Sequence, residues 1–378
     1  MRVAIIGGGI AGLACAAVFV RRGADVTIHE QAPALREVGA GLQITPNGAR
    51  VLAALGVPLA QKSVKAGAVV PTSAITGRAL ARFDLSAKTY HFVHRADLIE
   101  MLAAACKGAD IRTGARIENP TALGADLIVG ADGLHSRVRP LLNGDDAPFF
   151  TGQVAWRAMI AAEADPVARV WMAPGRHVVT YPLRGGRLNI VAVQERTAWA
   201  AEGWNHPDDA ETLRTAFADC APNLRALLDR IEAPLLWGLF RHPIAAHWHK
   251  GNMALIGDAA HPTLPFLAQG ANLALEDAWS LAAHVAAAPL DRALPAYQAA
   301  RAPRVTKAIA AANANARNYH LRGPARLIAH TGLRVLGKAA PNLIPSRLNW
   351  LYDYDVTNSS LFPKNFGGEP ERRGGETP

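Results

Sequence analysis

The sequence predicts an α/β fold: a Rossmann-like dinucleotide-binding domain with an inserted antiparallel-sheet domain and a C-terminal helical segment. Three observations predict it. A strand, a glycine loop, a helix and a second strand follow one another over Arg2–Glu30. Two later strands deliver Gly-Asp turns, at Gly130–Gly133 and Gly257–Pro262. Between those turns, from Gly152 to Val193, the pattern changes to strands separated by turns. The implied organisation places residues 1–68, 94–150 and 246–320 in the dinucleotide domain and 69–93 and 151–245 in the inserted one. Residues 321–365 form the helical segment, and 366–378 a tail expected to be disordered from its Gly, Pro and charge content.

The 378 residues exceed one ordinary domain, and 50% apolar content can fill a sizeable core. Cys15, Cys106 and Cys220 are widely spaced and form neither a metal pattern nor a disulfide framework, so no metal is expected and a reducing, cytoplasmic location is. The apolar N-terminus belongs to the βαβ unit rather than to a signal peptide, and no window is apolar enough to span a membrane. The formal charge of +9 is uneven, with nine Lys/Arg and no Asp/Glu from Arg301 to Trp350. Nothing resembles a nucleic-acid module, so small anionic ligands are the expected partners.

Arg2–Ile6 is a short run rich in β-branched residues and reads as a buried parallel strand. Gly7, Gly9 and Gly12 fit G-x-G-x-x-G: the first permits the tight turn, the second a close approach by pyrophosphate, the third helix–strand packing. Ala11 lies in the same turn and is counted with them. The helix from Ile10 to Arg22 presents its N-terminal amides to the phosphates, and Glu30, ending the next strand, can accept a ribose hydroxyl. Arg36 follows in a loop, where a phosphate contact and a solvent-facing role are both open. Gly41 lies where Val38–Gln43 brings backbone close to something, and Pro46 then opens a helix to Leu55.

Arg95 stands at the start of a helix running to Cys106. The strand Ala125–Val129 delivers Asp132 between glycines onto a helix start, repeating the nucleotide-site logic, with Arg137 and Arg139 nearby. In the inserted region the strands are Gln153–Ile160, Ala168–Met172, His177–Leu183 and Arg187–Val193, followed by helical Asp208–Arg230 and the strand Leu235–Pro243. His177 and Tyr181 are four apart on one strand and so share a face. Asp258 follows the strand Asn252–Ile256, and His261 shapes the loop after it. Gly270, Ala271 and Asn272 open a helix through His284, and Tyr297–Asn315 is helical.

Gly7-x-Gly9-x-x-Gly12 with Glu30, then Gly130-Ala131-Asp132-Gly133, then Gly257-Asp258-Ala259-Ala260-His261-Pro262 stand in the order of a known family. Together they resemble the single-component FAD-dependent aromatic hydroxylases, most of all the salicylate, 3-hydroxybenzoate and 6-hydroxynicotinate hydroxylases, over Met1–Arg304. The resemblance implies a Rossmann-like FAD-binding domain in which Gly7, Gly9, Gly12 and Glu30 hold the ADP half of FAD. Arg36 and Arg95 would contact its phosphate–ribityl region. Asp132 would serve both FAD and NADH or NADPH, and Asp258 a ribityl hydroxyl. The start of the Gly270–Asn272 helix would face the pyrimidine edge of the flavin. The chain departs from the family between Ile117 and Ala125, where a surface hairpin is trimmed.

The activity implied is NAD(P)H- and O2-dependent hydroxylation of a small phenolic or carboxylated aromatic or heteroaromatic ring through a flavin C4a-hydroperoxide. His177 would act as base or substrate hydrogen-bond partner and Tyr181 would orient it. Leu264–Leu267 would form a dry wall, and Arg184 or Arg241 could meet a carboxylate. A homodimer is the assembly entertained. The competing readings are a peripheral-membrane quinone-ring hydroxylase and a flavin oxidoreductase without oxygen insertion.

Overall fold

The computed structural model describes residues 1–35, 40–197 and 206–358; Arg36 and the tail from 366 onward lie outside them. The chain begins with β1 (Arg2–Ile6), α1 (Ile10–Arg21) and β2 (Asp25–His29). Next come β3 (Gly41–Ile44), α2 (Pro46–Ala54), β4 (Ser63–Lys65), β5 (Ala68–Ser73), β6 (Phe83–Asp84) and β7 (His91–His94). α3 (Arg95–Ala105), β8 (Asp110–Arg112), β9 (Leu127–Gly130) and α4 (Arg139–Asn143) lead to the long β10 (Phe149–Ala161). β11 (Val167–Ala173), β12 (Arg176–Leu183), β13 (Arg187–Glu195), β14 (His206–Pro207), α5 (Ala210–Ala216), α6 (Pro222–Leu228) and β15 (Leu235–Arg241) follow. The chain then runs through β16 (His249–Lys250), β17 (Met253–Leu255), α7 (Gly270–Ala287), α8 (Leu290–Tyr319) and α9 (Gly323–Ala339).

The first sheet has the order β16-β17-β9-β1-β2-β8, parallel except for the β16–β17 hairpin. Strand order reverses beside β1, so the glycine loop leaves the carboxyl end of the strand at the switch point, where open α/β sheets bind ligands. α1 has little amphipathic pattern because it is covered on nearly every side: Ile10, Leu13–Phe19 and Gly12 are all buried. α7 packs against it with twelve buried residues, Asn272–Ala283.

The second sheet has eight strands, β14-β15-β10-β13-β12-β11-β5-β6. It is mixed rather than purely antiparallel, because β5 enters from an earlier part of the chain and pairs parallel to β11, Val167 opposite Ala68. Residues 69–93 therefore divide: β5 and β6 join this sheet, whereas β7 pairs with β3 and β4 in a third one. One face of the large sheet packs Trp156, Ile190 and Val178 on Leu213, Phe217 and Leu224 of α5, α6 and their connection. The other face looks at the dinucleotide domain, where Ala155, Val193, Trp237 and Leu239 meet Leu264 and Phe266.

α8 extends past both ends of the Tyr297–Asn315 segment expected, and Pro295 and Pro303 lie within it without ending it. Burial of Leu294, Tyr297, Val305 and Ala308 along its length holds the helix across the missing N–H groups. The Asp208–Arg230 stretch is two short helices, split after Ala216, rather than one. α9 leaves Leu327, Ile328 and Val335 exposed. No helix among the described residues is long and apolar enough to cross a membrane.

Candidate active site

The three turns converge through backbone hydrogen bonds. Ala131 N–H donates to Ile6 O at 2.8 Å and Ile256 N–H to Gly130 O at 3.0 Å. Gly7 has φ 107°, and a Cβ there would lie 2.4 Å from Ala131 O; a Cβ on Gly12 would lie 1.9 Å from Gly7 O. Both positions are closed to any side chain by protein. A Cβ on Gly9 would meet nothing within 4 Å, so this backbone faces open space. The first internal bond of α1 runs from Leu13 N–H to Gly9 O, which leaves the preceding amides, Ala11 among them, pointing out of the helix start.

Glu30 is fixed beside that loop. Its Oε2 accepts from Gly8 N–H at 2.6 Å and its Oε1 from Ala32 N–H at 2.8 Å, and each oxygen keeps a lone pair. Asp132 accepts from Arg137 N–H at 2.7 Å through Oδ2, while its Oδ1 is buried without a hydrogen bond among the described residues. Burial raises its pKa despite those donors. Arg139 is a strut between two motifs: it pairs with Asp146 at 2.7 Å and donates to Ala259 O and Ala260 O.

Asp258 is exposed and makes no hydrogen bond among the described residues. Protein still rings its carboxyl closely enough to raise its pKa, against the pull of His261 and Arg95. Arg95 shares this crevice, its pKa lowered by burial with Asp258 opposing. At the start of α7 the first internal bond is Leu273 N–H to Gln269 O at 2.8 Å, so the amides of Gly270, Ala271 and Asn272 precede it. An open Gly9 backbone, an Asp258 and an Asp132 oxygen without hydrogen bonds among the described residues, and two helix starts fit a dinucleotide flavin.

One expected contact, at Gly41, is spent on protein, and the side chain of Asn272, though not its backbone N–H, is occupied as well. The Asn272 amide accepts from Thr45 N–H at 3.0 Å and donates to Gln43 O at 3.1 Å and Ala268 O at 2.6 Å, so only its backbone N–H remains for a ligand. The close approach at Gly41 is to the large sheet: its N–H donates to Asn189 Oδ1 at 2.8 Å, and a Cβ would lie 2.7 Å from the Tyr181 ring. His261 is held by Asp277 at 2.5 Å inside the core, consistent with shaping its loop.

His177 and Tyr181 do share the β12 face toward the dinucleotide domain. The Tyr181 ring lies 5.1 Å from Phe92, and burial raises its pKa. His177 is 2% exposed, with its ring 5.4 Å from Phe266 and 5.2 Å from Tyr319. Burial, then His320, holds its pKa well below the usual value, so it is neutral near pH 7. Its Nδ1 lies 2.7 Å from His320 Nε2, and its Nε2 has no protein hydrogen bond among the described residues.

Arg184 is exposed in the β12–β13 turn, and Arg241 donates to Asn313 Oδ1 at 3.2 Å. The cation on the inner sheet face is one the sequence reading passed over. Arg157 stacks its guanidinium 3.9 Å from the Trp237 ring centroid and has no hydrogen bond or ion pair among the described residues. Burial and then Arg95 lower its pKa to about 10, Tyr181 opposing. The available signal was alternation: Ala155, Arg157 and Met159 point the same way along a strand whose neighbours on that side are apolar.

Two family models match the chain, one described as FAD binding domain over residues 113–312 and one as pyridine nucleotide-disulphide oxidoreductase over residues 2–69. The chain is 36% identical to 3-amino-4-hydroxybenzoate 2-monooxygenase of Streptomyces platensis, covering 94% of this chain and 96% of that protein. It is 31% identical to 3-hydroxybenzoate 6-hydroxylase of Polaromonas naphthalenivorans (strain CJ2), with 94% and 96% covered. A solved salicylate hydroxylase substrate complex superposes with TM-score 0.78 at 27% identity, covering 94% of this chain and 96% of that one.

Proposed function

The chain belongs to the FAD-dependent aromatic hydroxylases, and from that premise we propose that it hydroxylates a small phenolic ring bearing a carboxylate, with NADH or NADPH as reductant. The observation that carries the substrate class is Arg157, a cation stacked on Trp237 with no ion pair among the described residues, on the same sheet face as a neutral His177. A half-buried guanidinium with no anion beside it among the described residues is a site for one.

The open Gly9 turn and the α1 amides would hold the pyrophosphate, Glu30 a ribose hydroxyl, and Asp258 with Arg95 the ribityl side. The amides of Gly270, Ala271 and Asn272 would meet the flavin ring edge, where a helix N-terminus favours negative charge. FAD, when bound there, supplies hydride acceptance from the nicotinamide and oxygen transfer to the ring. The protein's own contribution is orientation and proton handling. Arg157 would fix the carboxylate, and His177 Nε2 would take the phenolic proton, which makes the ring electron-rich. Tyr181 would align the ring opposite Phe92. Leu264, Phe266, Trp237 and Leu239 would keep water from the reacting atoms.

The test is a screen of 3-amino-4-hydroxybenzoate, 3-hydroxybenzoate, salicylate and their neutral phenol counterparts for accelerated NAD(P)H oxidation, with mass analysis of the product. A carboxylated phenol converted to a product one oxygen heavier supports the reading. Acceleration that yields only peroxide, or a preference for the neutral phenols, overturns it. For assembly, the exposed Leu327, Ile328 and Val335 of α9 are the apolar surface a second copy would cover, and sedimentation velocity reads that directly.

A further inference from the structure

We propose that His177, His320 and Glu195 form a proton relay that carries the substrate's phenolic proton from the buried sheet face to a surface cleft. The proposal rests on the reading of His177 as the base. Three contacts define the path. His177 Nδ1 lies 2.7 Å from His320 Nε2, His320 Nδ1 lies 2.9 Å from Glu195 Oε1, and Glu195 Oε2 accepts from Arg322 Nη2 at 2.6 Å. The contacts join β12, the end of α8 and the end of β13, segments 143 and 125 residues apart in sequence.

The hydrogen positions follow from the carboxylate. Burial raises the Glu195 pKa, but Arg322 and His320 outweigh it and keep the group ionised. An ionised carboxylate can only accept, so His320 carries its hydrogen on Nδ1. His320 Nε2 is then an acceptor, which requires His177 to carry its hydrogen on Nδ1 as well. The lone pair of His177 Nε2 is left without a partner among the described residues, as a base requires. A carboxylate at the rim thus sets the tautomer of a ring two contacts away.

The outer end is open. Glu195 and His320 line a cleft of about 360 Å³ together with Gln153, Arg241, Asn313 and Arg317. The Glu195 side chain is 36% exposed. Arg241, Arg317 and Arg322 face this end, and their charge favours return of Glu195 to its anionic form. His320 caps α8, whose negative end steadies a passing positive charge. On the inner side Phe266 and Tyr319 surround His177, and burial pushes the Tyr319 hydroxyl up to about 12, so neither competes for the proton.

The transfer balances. The substrate O–H bond breaks and its proton joins His177 Nε2. The Nδ1 proton of His177 passes to His320 Nε2, the Nδ1 proton of His320 passes to Glu195 Oε1, and Glu195 gives a proton to water in the cleft. Both rings end in the opposite tautomer. The same path in reverse re-protonates the product oxygen and restores them.

The experiment uses the full-length, flavin-loaded protein in two arms. In the first, ¹⁵N-histidine spectra without substrate are expected to show both rings neutral with Nδ1–H, and a through-hydrogen-bond coupling between His177 Nδ1 and His320 Nε2. A charged ring, or Nε2–H on either, overturns the relay whatever the substrate proves to be. In the second, 3-amino-4-hydroxybenzoate and 3-hydroxybenzoate are mixed with weakly buffered protein and a pH dye. His177→Gln should abolish proton release. Glu195→Gln and His320→Asn should slow it by about tenfold with binding of the probe unchanged, and Glu195→Asp should restore part of the rate. Wild-type release in the Glu195 and His320 variants overturns the relay and spares the base. Unchanged release in His177→Gln overturns the base itself.

Discussion

Two of the histidine–carboxylate chains among the described residues differ in where they end. In one, Asp277 accepts from His261 at 2.5 Å, Arg301 at 2.8 Å and Gly257 N–H at 3.0 Å, while Glu276 accepts from Asn47, Arg301 and Arg304. Asp277, Glu276, Arg301 and His261 are all fully buried. The only atom there without a partner among the described residues, His261 Nδ1, is sealed inside the protein. In the other, His177 Nε2 has no partner among the described residues at one end, and Glu195 reaches solvent at the other. The first chain ties α7 to α8, α2 and the Gly257 turn. Saturation marks a strut, and open ends mark a path for protons or ligands.

The largest expected effect breaks the closed chain. Arg301→Met removes the cation shared by two buried carboxylates and should cost about 3–5 kcal/mol in urea unfolding. Glu195→Gln, at the rim of the open chain, should cost about 1 kcal/mol or less. Comparable losses would remove the distinction between the two. The closed chain also has a pH signature. Burial raises the Asp277 pKa, but His261 and Arg301 outweigh it and hold it at about 2, below the unfolded value of 3.8. Its contribution is therefore full above the unfolded pKa and is lost as the pH falls through the folded one. Acid unfolding followed by circular dichroism should show that loss between about pH 4 and pH 2.

Next in size is the cofactor crevice. Glu30→Arg replaces a carboxylate held by Gly8 and Ala32 with a bulky cation, and the purified variant should lose its flavin absorbance. Arg157→Met sharpens the contrast on the sheet face. It should raise KM for a carboxylated phenol by about 10- to 100-fold, the worth of a charged hydrogen bond, and leave a neutral phenol unaffected. An equal change for both would assign Arg157 to packing on Trp237.

What the sequence made legible was local or ordered. The opening βαβ unit, the order of the three turns and the strand carrying His177 and Tyr181 follow from periodicity and composition, because each is set by residues adjacent in the chain. What it hid depends on tertiary partners. The Asn272 side chain ties the start of α7 to Gln43 and Thr45, and no local pattern announces those partners. The first turns of α8, ahead of Tyr297 and through Pro295, go unread until the buried Ala293 and Leu294 are counted. His320 and Glu195 carry no motif, and only the sheet–helix packing brings them to His177.

The smallest effect concerns the loop that aims α7. Ala268 has φ 54°, the only non-glycine residue with positive φ among those described, and its carbonyl accepts from Asn272 Nδ2 at 2.6 Å. It immediately precedes Gln269, the N-cap of α7. A Cβ in the left-handed region costs about 1 kcal/mol, whereas glycine there is free of that clash but loses more chain entropy on folding. Ala268→Gly should therefore change the unfolding free energy by less than about 1 kcal/mol. If the strained residue fixes the direction of the α7 amides, flavin should dissociate a fewfold faster from the relaxed variant despite that near-neutral stability. Dissociation rates that match the wild type would make the strain a by-product of chain routing, and would leave the Asn272 tether as the feature that aims the helix.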